Sequence, residues 1–222
     1  MIRVLVADDQ PLARAGLSAL LAAEPDIEVV GTAADGDEAL ELALSLRPDV
    51  ACLDIRMPGR TGIEVTRELT ALTVDRPVPV LILTTFDIDD YVFNALEAGA
   101  SGFLLKDAEP EEIVRAVRHV AGGNGTLDLA VTRRVLHEFT RRRTLQAVST
   151  TSEAASMLTP REQEILRLLA QGMSNDEIAA ALTVEVTTVK SHLVRILPKL
   201  GVRSRLQAVV WAYQNKVVLP EG

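Results

Sequence analysis

Five short apolar runs, spaced along the first half of the chain, constrain its fold more than any other feature. They are Ile2–Ala7, Ile27–Ala33, Val50–Leu53, Val78–Thr84 and Gly102–Leu105. Each is rich in Val, Ile and Leu and lacks a strict apolar–polar alternation. That is the pattern of parallel strands covered on both faces. Between the runs lie stretches with apolar residues at helical spacing. In "DGDEALELALSLRPD", for example, Ala39, Leu42, Ala43 and Leu46 share one side. "TGIEVTRELTAL", "DDYVFNALEAGA" and "EPEEIVRAVRHVAGG" follow the same rule. Five strands alternating with five helices predict an α/β fold over residues 1–124, a doubly wound parallel five-stranded sheet. The ligand site of such a sheet lies at the carboxyl ends of its strands.

The remainder of the 222 residues reads differently. Residues 125–155 begin with a stretch able to form a helix, "AVTRRVLHEFTRRR", and continue into "TLQAVSTTSEAAS", which is small, polar and read as a linker. Residues 156–222 predict an all-α unit of four helices. "LTPREQEILRLLAQG" carries Thr159 as N-cap, Pro160 in the first turn and Glu162 to complete a capping box, and Gly172 stops it. Ser174 and Glu177 repeat the device. A third helix runs from near Val186 towards Leu200, and a fourth covers roughly Ser204 to Gln214. Two short helices joined by a tight turn inside such a unit suggest a helix-turn-helix.

Charge divides along the same line. Residues 1–124 hold 22 acidic against 10 basic side chains, although the whole chain is only −8. The back part is mildly basic, so two different partners are permitted. No apolar run is long enough for a membrane span. The single cysteine, Cys52, excludes an internal disulfide and a cysteine-rich zinc site and reads as core packing. His119, His137 and His192 lack metal-ligand spacing. A cytoplasmic location is expected.

The strand ends carry the chemistry. Asp8 and Asp9 close the first strand, Asp54 the third, Thr84 and Thr85 the fourth, and Lys106 the fifth. In a parallel sheet these ends share one edge, so three carboxylates, a hydroxyl and an ammonium converge. Hard, anionic oxygen donors suit Mg²⁺, completed by waters and a phosphoryl oxygen. Asp54 can then act as an oxygen nucleophile that forms an acyl phosphate. The metal and Lys106 would neutralise the transferring group.

The motifs "VADD", "LDIRMPG", "ILTTF" and "GASGFLLKD", in this order, resemble those of a response-regulator receiver domain. The resemblance implies a flavodoxin-like fold with Asp54 as phosphoacceptor. Asp8 and Asp9 would hold the metal with the backbone carbonyl of Arg56. Thr84, 22 residues before Lys106, matches the switch hydroxyl, and Phe103 the switch aromatic. A phosphoryl group on Asp54 would then draw Thr84 inward and let Phe103 follow. "LTPREQEILRLLAQGMSNDEIAAAL" and "TTVKSHLVRILPKLGVRSRLQAVVWAY" resemble the LuxR-type DNA-binding domain, so the whole chain resembles the NarL/FixJ class of response regulators.

That class implies a sensor histidine kinase as phosphoryl donor and double-stranded DNA as target. It implies a homodimer after phosphorylation and no enzymatic activity beyond self-phosphorylation and self-dephosphorylation. The helix from Val186 would enter the major groove. Its stripe of Val186, Val189, Leu193, Ile196 and Leu200 is the expected buried face. Thr187, Thr188, Lys190, Ser191, Val194 and Arg195 fall elsewhere. Of these, Lys190, Ser191 and Val194 match base-facing positions, and Lys190, Thr188 and Arg195 suit phosphate contacts. The segment from Arg205 to Tyr213 would join a dimer contact. Two departures stand out. Glu185 occupies the position of a Ser or Thr cap, with Thr183 as an alternative cap. Pro198 predicts a helix bent or loosened over Val194 to Pro198. Competing readings are a DNA-binding regulator controlled without phosphorylation, and an aspartate-nucleophile phosphatase. The latter lacks the second acid that would stand at Arg56.

Overall fold

The computed structural model describes residues 1–71, 77–85, 89–127, 158–215 and 217. The expected helix in "AVTRRVLHEFTRRR" and the linker after it lie outside those residues. The chain divides into two compact units, Met1–Thr132 and Arg133–Gly222.

In the first unit, β1 (Ile2–Ala7), β2 (Ile27–Ala33), β3 (Val50–Leu53), β4 (Val80–Thr84) and β5 (Gly102–Leu105) alternate with five helices. These are α1 (Pro11–Ala22), α2 (Gly36–Leu46), α3 (Gly62–Leu69), α4 (Asp89–Ala98) and α5 (Pro110–Ala121). All strand pairs are parallel, in the order β2-β1-β3-β4-β5. A two-residue strand, β6 (Thr126–Leu127), extends the far edge in the stretch that had read as the start of the linker. Two residues carry no hydrophobic pattern of their own, and only their pairing with Gly102 and Phe103 makes them a strand.

The inner strands β1, β3, β4 and β5 are mostly buried on both faces, whereas the edge strand β2 is partly exposed. Val4, Val6, Cys52, Leu81, Leu83 and Leu104 pack with Ile113, Val117 and Val120 of α5 and Leu21 of α1. Leu5, Leu53, Ile82 and Phe103, on the alternate positions, are fully buried on the opposite face. This accounts for runs without alternation. Cys52 belongs to the core, and burial pushes its thiol up to about 12, so it stays protonated and inert.

Local signals set the helix starts. Asp35 accepts the Glu38 N–H at 2.8 Å to cap α2. Thr61 and Glu64 form a reciprocal capping box at α3, and Pro11 and Pro110 open α1 and α5. The chain reverses its direction of travel across the sheet between β1 and β3, whose register pairs Ala7 with Leu53. The next residues are Asp8 and Asp54, so the two carboxylates meet at the topological switch point.

The second unit comprises α6 (Pro160–Ala170), α7 (Asn175–Leu182), α8 (Val186–Lys199) and α9 (Arg205–Gln214). Ile165, Leu166, Leu169, Ile178, Val189, Leu193, Ile196, Ala208 and Ala212 form its core. Both expected capping boxes are present, Thr159 with Glu162 and Ser174 with Glu177. Gly172 and Gly201 take positive φ of 86° and 67° just past α6 and α8, as left-handed stops do.

Two expectations here are corrected, those for Thr183 and Val186. Thr183 does not cap α8; at φ 53° it is the left-handed C-cap of α7, and Glu185 stands at the N-cap of α8 without a side-chain bond. Helix α8 is continuous through Lys199 with Pro198 inside it. The proline falls in the last turn and denies a bond only to the carbonyl of Val194, an exposed residue that water can reach. Val186 is partly buried at the margin of the core rather than part of its fully buried stripe.

Candidate functional site

Lys106 sits between the two buried carboxylates. Its Nζ lies 2.6 Å from Asp8 Oδ2 and 3.2 Å from Asp54 Oδ2. The side chains of Asp8 and Asp54 are only 2% and 4% exposed. Backbone donors fix the remaining oxygens: Gln10 N–H binds Asp8 Oδ1 at 3.0 Å, and Ile55 N–H binds Asp54 Oδ1 at 2.8 Å. The strand-end register supplies the rest, with Asp54 N–H on the Ala7 carbonyl and Lys106 N–H on the Thr84 carbonyl, both at 2.9 Å. Asp8, Asp54, Thr84 and Lys106 therefore share one edge of the sheet.

Burial pushes the Asp54 carboxyl up from its ordinary value, Lys106 pulls it back down, and Asp8 adds to the upward push. One ammonium pairs with two buried carboxylates, and the exposed Asp9 adds a third beside them. Carboxylate oxygens of Asp8, Asp9 and Asp54 all lie within 4.8 Å of one another. Hard oxygen donors, an excess of negative charge and a partly solvated third ligand fit a divalent cation of the Mg²⁺ kind.

Thr84 is fully buried beside this edge, and so is Phe103. The Phe103 ring lies inside the fold, beside the Thr84 strand end. Arg56, two residues past Asp54, is exposed. Its guanidinium donates to the Tyr91 hydroxyl at 3.3 Å and 3.2 Å and lies 5.7 Å from the ring centre. A cation so placed cannot serve as the second acid of an aspartate-nucleophile phosphatase.

Several positioning contacts were not legible in the sequence. Arg14 of α1 donates to the Asp8 carbonyl and ties that helix to the first strand end. Gly62, at the start of α3, donates its N–H to the Ile55 carbonyl at 3.0 Å. A Cβ there would lie 2.0 Å from the Asp54 carbonyl oxygen. Across the same loop, a Cβ on Gly36 would lie 1.9 Å from the Arg60 carbonyl oxygen. Helices α2 and α3 thus close on the Asp54 loop through two positions where only hydrogen fits.

In the second unit, Thr187, Lys190, Ser191, Val194 and Arg195 are exposed and Thr188 is half-buried. Val189, Leu193 and Ile196 face the core. The separation expected from the stripe therefore holds. Ser191 Oγ donates to the Thr188 carbonyl at 2.8 Å, so its proton is engaged within the helix. Arg205, at the start of α9, is an internal clamp: it donates to Asn175 Oδ1 at 2.8 Å and to the Met173 carbonyl. It thereby holds the turn before α7 to the start of α9. Burial lowers its value to about 10, so it remains charged at neutral pH.

The far end of α8 is fastened by a contact no motif announces. Lys199 Nζ binds both oxygens of Glu162 at 2.8 Å and 2.7 Å, and the same carboxylate accepts the Thr159 N–H at 2.8 Å. Lys199, then Thr159, hold Glu162 below the ordinary glutamate value of 4.5. A lowered carboxyl contributes stability that is complete above its unfolded value and is lost as pH falls through its folded one. The second unit should therefore weaken below about pH 4.5, and Lys199→Met should remove part of that dependence. The expected cost of Lys199→Met at neutral pH is about 1 kcal/mol. Trp211, the single tryptophan, packs against this core and reports the melt by fluorescence.

Among the described residues, no helix is long and apolar enough to cross a membrane. Residues 4–118 match the family model described as response regulator receiver domain. Residues 156–212 match that of bacterial regulatory proteins, luxR family. The transcriptional regulatory protein LiaR of Bacillus subtilis is 41% identical over 98% of this chain and 100% of its own length. The nitrate/nitrite response regulator protein NarL of Escherichia coli K12 is 38% identical over 96% of both chains. A crystal structure of response regulator ChrA in a heme-sensing two-component system is similar over 98% of both chains, with 39% identity and a TM-score of 0.52.

Proposed function

Since the chain belongs to the two-component response regulators that join a receiver domain to a LuxR-type DNA-binding domain and control transcription, we propose that phosphoryl transfer to Asp54 governs the binding of α8 in a DNA major groove. The observation that carries this reading is the placement of buried Asp54 between the Ile55 N–H and the Lys106 ammonium, beside Asp8 and Asp9.

A carboxylate oxygen of Asp54 attacks phosphorus while the bond from phosphorus to the donor breaks. The donor is the phosphohistidine of a sensor kinase, whose imidazole leaves. Lys106 and the Ile55 N–H hold Asp54 in place, and the ammonium lies where it can meet phosphoryl oxygens. Asp8, Asp9, Asp54 and the Arg56 carbonyl would hold Mg²⁺, which supplies Lewis-acid neutralisation of the phosphoryl charge. Thr84 offers a hydroxyl from the neighbouring strand end. The phosphorylated chain pairs as a homodimer on DNA, in the cytoplasm. We assign residues 1–124 to the receiver, 125–155 to a partly helical linker and 156–222 to the DNA-binding domain. Thr187, Thr188, Lys190, Ser191, Val194 and Arg195 face the duplex.

The test is a titration of duplex fragments, selected from genomic DNA, with and without acetyl phosphate and Mg²⁺. Phosphorylated wild type should bind about ten-fold tighter, within the ordinary range of coupling between sites. Asp54→Asn should show no such gain. Identical binding by wild type with and without the donor would overturn the coupling.

A further inference from the structure

Val194 is 70% exposed in the middle of α8. The other exposed large apolar side chains among the described residues, Met1, Leu12 and Leu44, all belong to the first unit. Val194 is not core, since Val189, Leu193 and Ile196 fill that role on the opposite side of the helix. Nor does helix propensity account for it, because a β-branched residue on a solvent-facing helical site is a poor helix former. Its neighbours one turn earlier are Lys190 and Ser191, both exposed, so the three share one face. Arg195 adds a second exposed cation beside it. The face is thus polar and cationic with one isopropyl group set into it.

Resting on the reading of α8 as the helix that enters the groove, we infer that Val194 is a specificity-determining residue that reads a thymine by contact with its 5-methyl group. In the major groove that methyl is the apolar feature by which the four base pairs differ. Lys190 and Arg195 supply the attraction to phosphates that seats the helix, and this attraction carries no sequence information. Ser191, its proton engaged by the Thr188 carbonyl, presents acceptor lone pairs. Val194 therefore selects thymine at one position of each half-site and disfavours cytosine there, while 5-methylcytosine restores the contact.

The experiment uses the full chain, treated with phosphoryl donor, and the best duplex recovered from a randomised library. Each thymine is replaced singly by deoxyuridine, which deletes the methyl and nothing else. Wild type should lose about four-fold in affinity at one thymine per half-site, the effect of exposing one buried methyl-sized group. Val194→Ala, a change at an exposed site that leaves the core untouched, should bind the parent duplex several-fold more weakly and show no further loss with deoxyuridine there. The same deoxyuridine profile in both proteins would overturn the assignment while leaving the DNA-binding reading intact, provided Lys190→Ala weakens binding to all duplexes. Recovery of no preferred sequence by wild type would overturn both.

Discussion

Alanine at position 62 should lower the stability of the first unit by about 3 kcal/mol and slow phosphorylation at Asp54 by at least ten-fold. A Cβ on Gly62 would lie 2.0 Å from the Asp54 carbonyl oxygen, 2.9 Å from its carbon and 3.3 Å from Ile55 Cα. All three atoms are backbone, so no side chain can turn aside, and overpacking of this kind costs a few kcal/mol. Either α3 retreats or the Asp54 loop moves. A displacement near 1 Å is enough to disturb a reacting geometry by one to two orders of magnitude. Gly16 provides the contrast. It lies in α1 with nothing within 4 Å of the position of a Cβ, so Gly16→Ala should stabilise by about 1 kcal/mol. Urea titrations followed by circular dichroism, with Trp211 fluorescence reporting the second unit separately, distinguish the two variants. Equal stability of Gly62→Ala and wild type would contradict the packing described around Asp54.

Lys106→Met should cost about 3 kcal/mol in the absence of divalent ions. The substitution keeps the bulk of the side chain and removes the cation between two carboxylates that are 2% and 4% exposed. Breaking a buried ion pair from one side leaves charge without compensation. The loss should depend on pH in a set direction. Burial already pushes Asp54 upward, and Lys106 is the main opposing influence. Without it the folded carboxyl, already above its ordinary value, rises further, so the variant recovers more stability than wild type as pH falls and Asp54 takes up a proton. Millimolar Mg²⁺ should recover part of the loss at neutral pH by binding the folded state. Denaturation at pH 5 and pH 7.5, with and without the metal, measures each contribution. A deficit identical under all four conditions would show that the lysine acts only through packing.

The order of these effects explains which parts of the molecule the sequence revealed. Strands buried on both faces leave continuous apolar runs, and the residues that end them must reach solvent or a counter-charge. Asp8, Asp54 and Lys106 could therefore be placed on one edge from their position in the chain alone. The capping boxes of the second unit were equally legible as Thr or Ser followed by Glu three residues later. Thr126–Leu127 was not, because a two-residue strand owes its form to its neighbour. Thr183 misled for a related reason: a hydroxyl between two helices reads as a cap for the second, yet its left-handed backbone ends the first. The bridge from Glu162 to Lys199 spans 37 residues and joins a helix start to a helix end. Its partners are ordinary charged residues in sequence, and only the packing of α6 against α8 brings them together. Phe103 shows a further limit. The sequence identified an aromatic beside the site but not whether its ring lies inside.

The central claim is that Asp54 accepts a phosphoryl group in a site assembled from Asp8, Asp9 and Lys106. Intact-mass spectrometry of the full chain, incubated with acetyl phosphate with and without Mg²⁺, tests it most directly. Wild type should gain a single phosphoryl group, dependent on Mg²⁺ and absent from Asp54→Asn. Equal labelling of wild type and Asp54→Asn would contradict it.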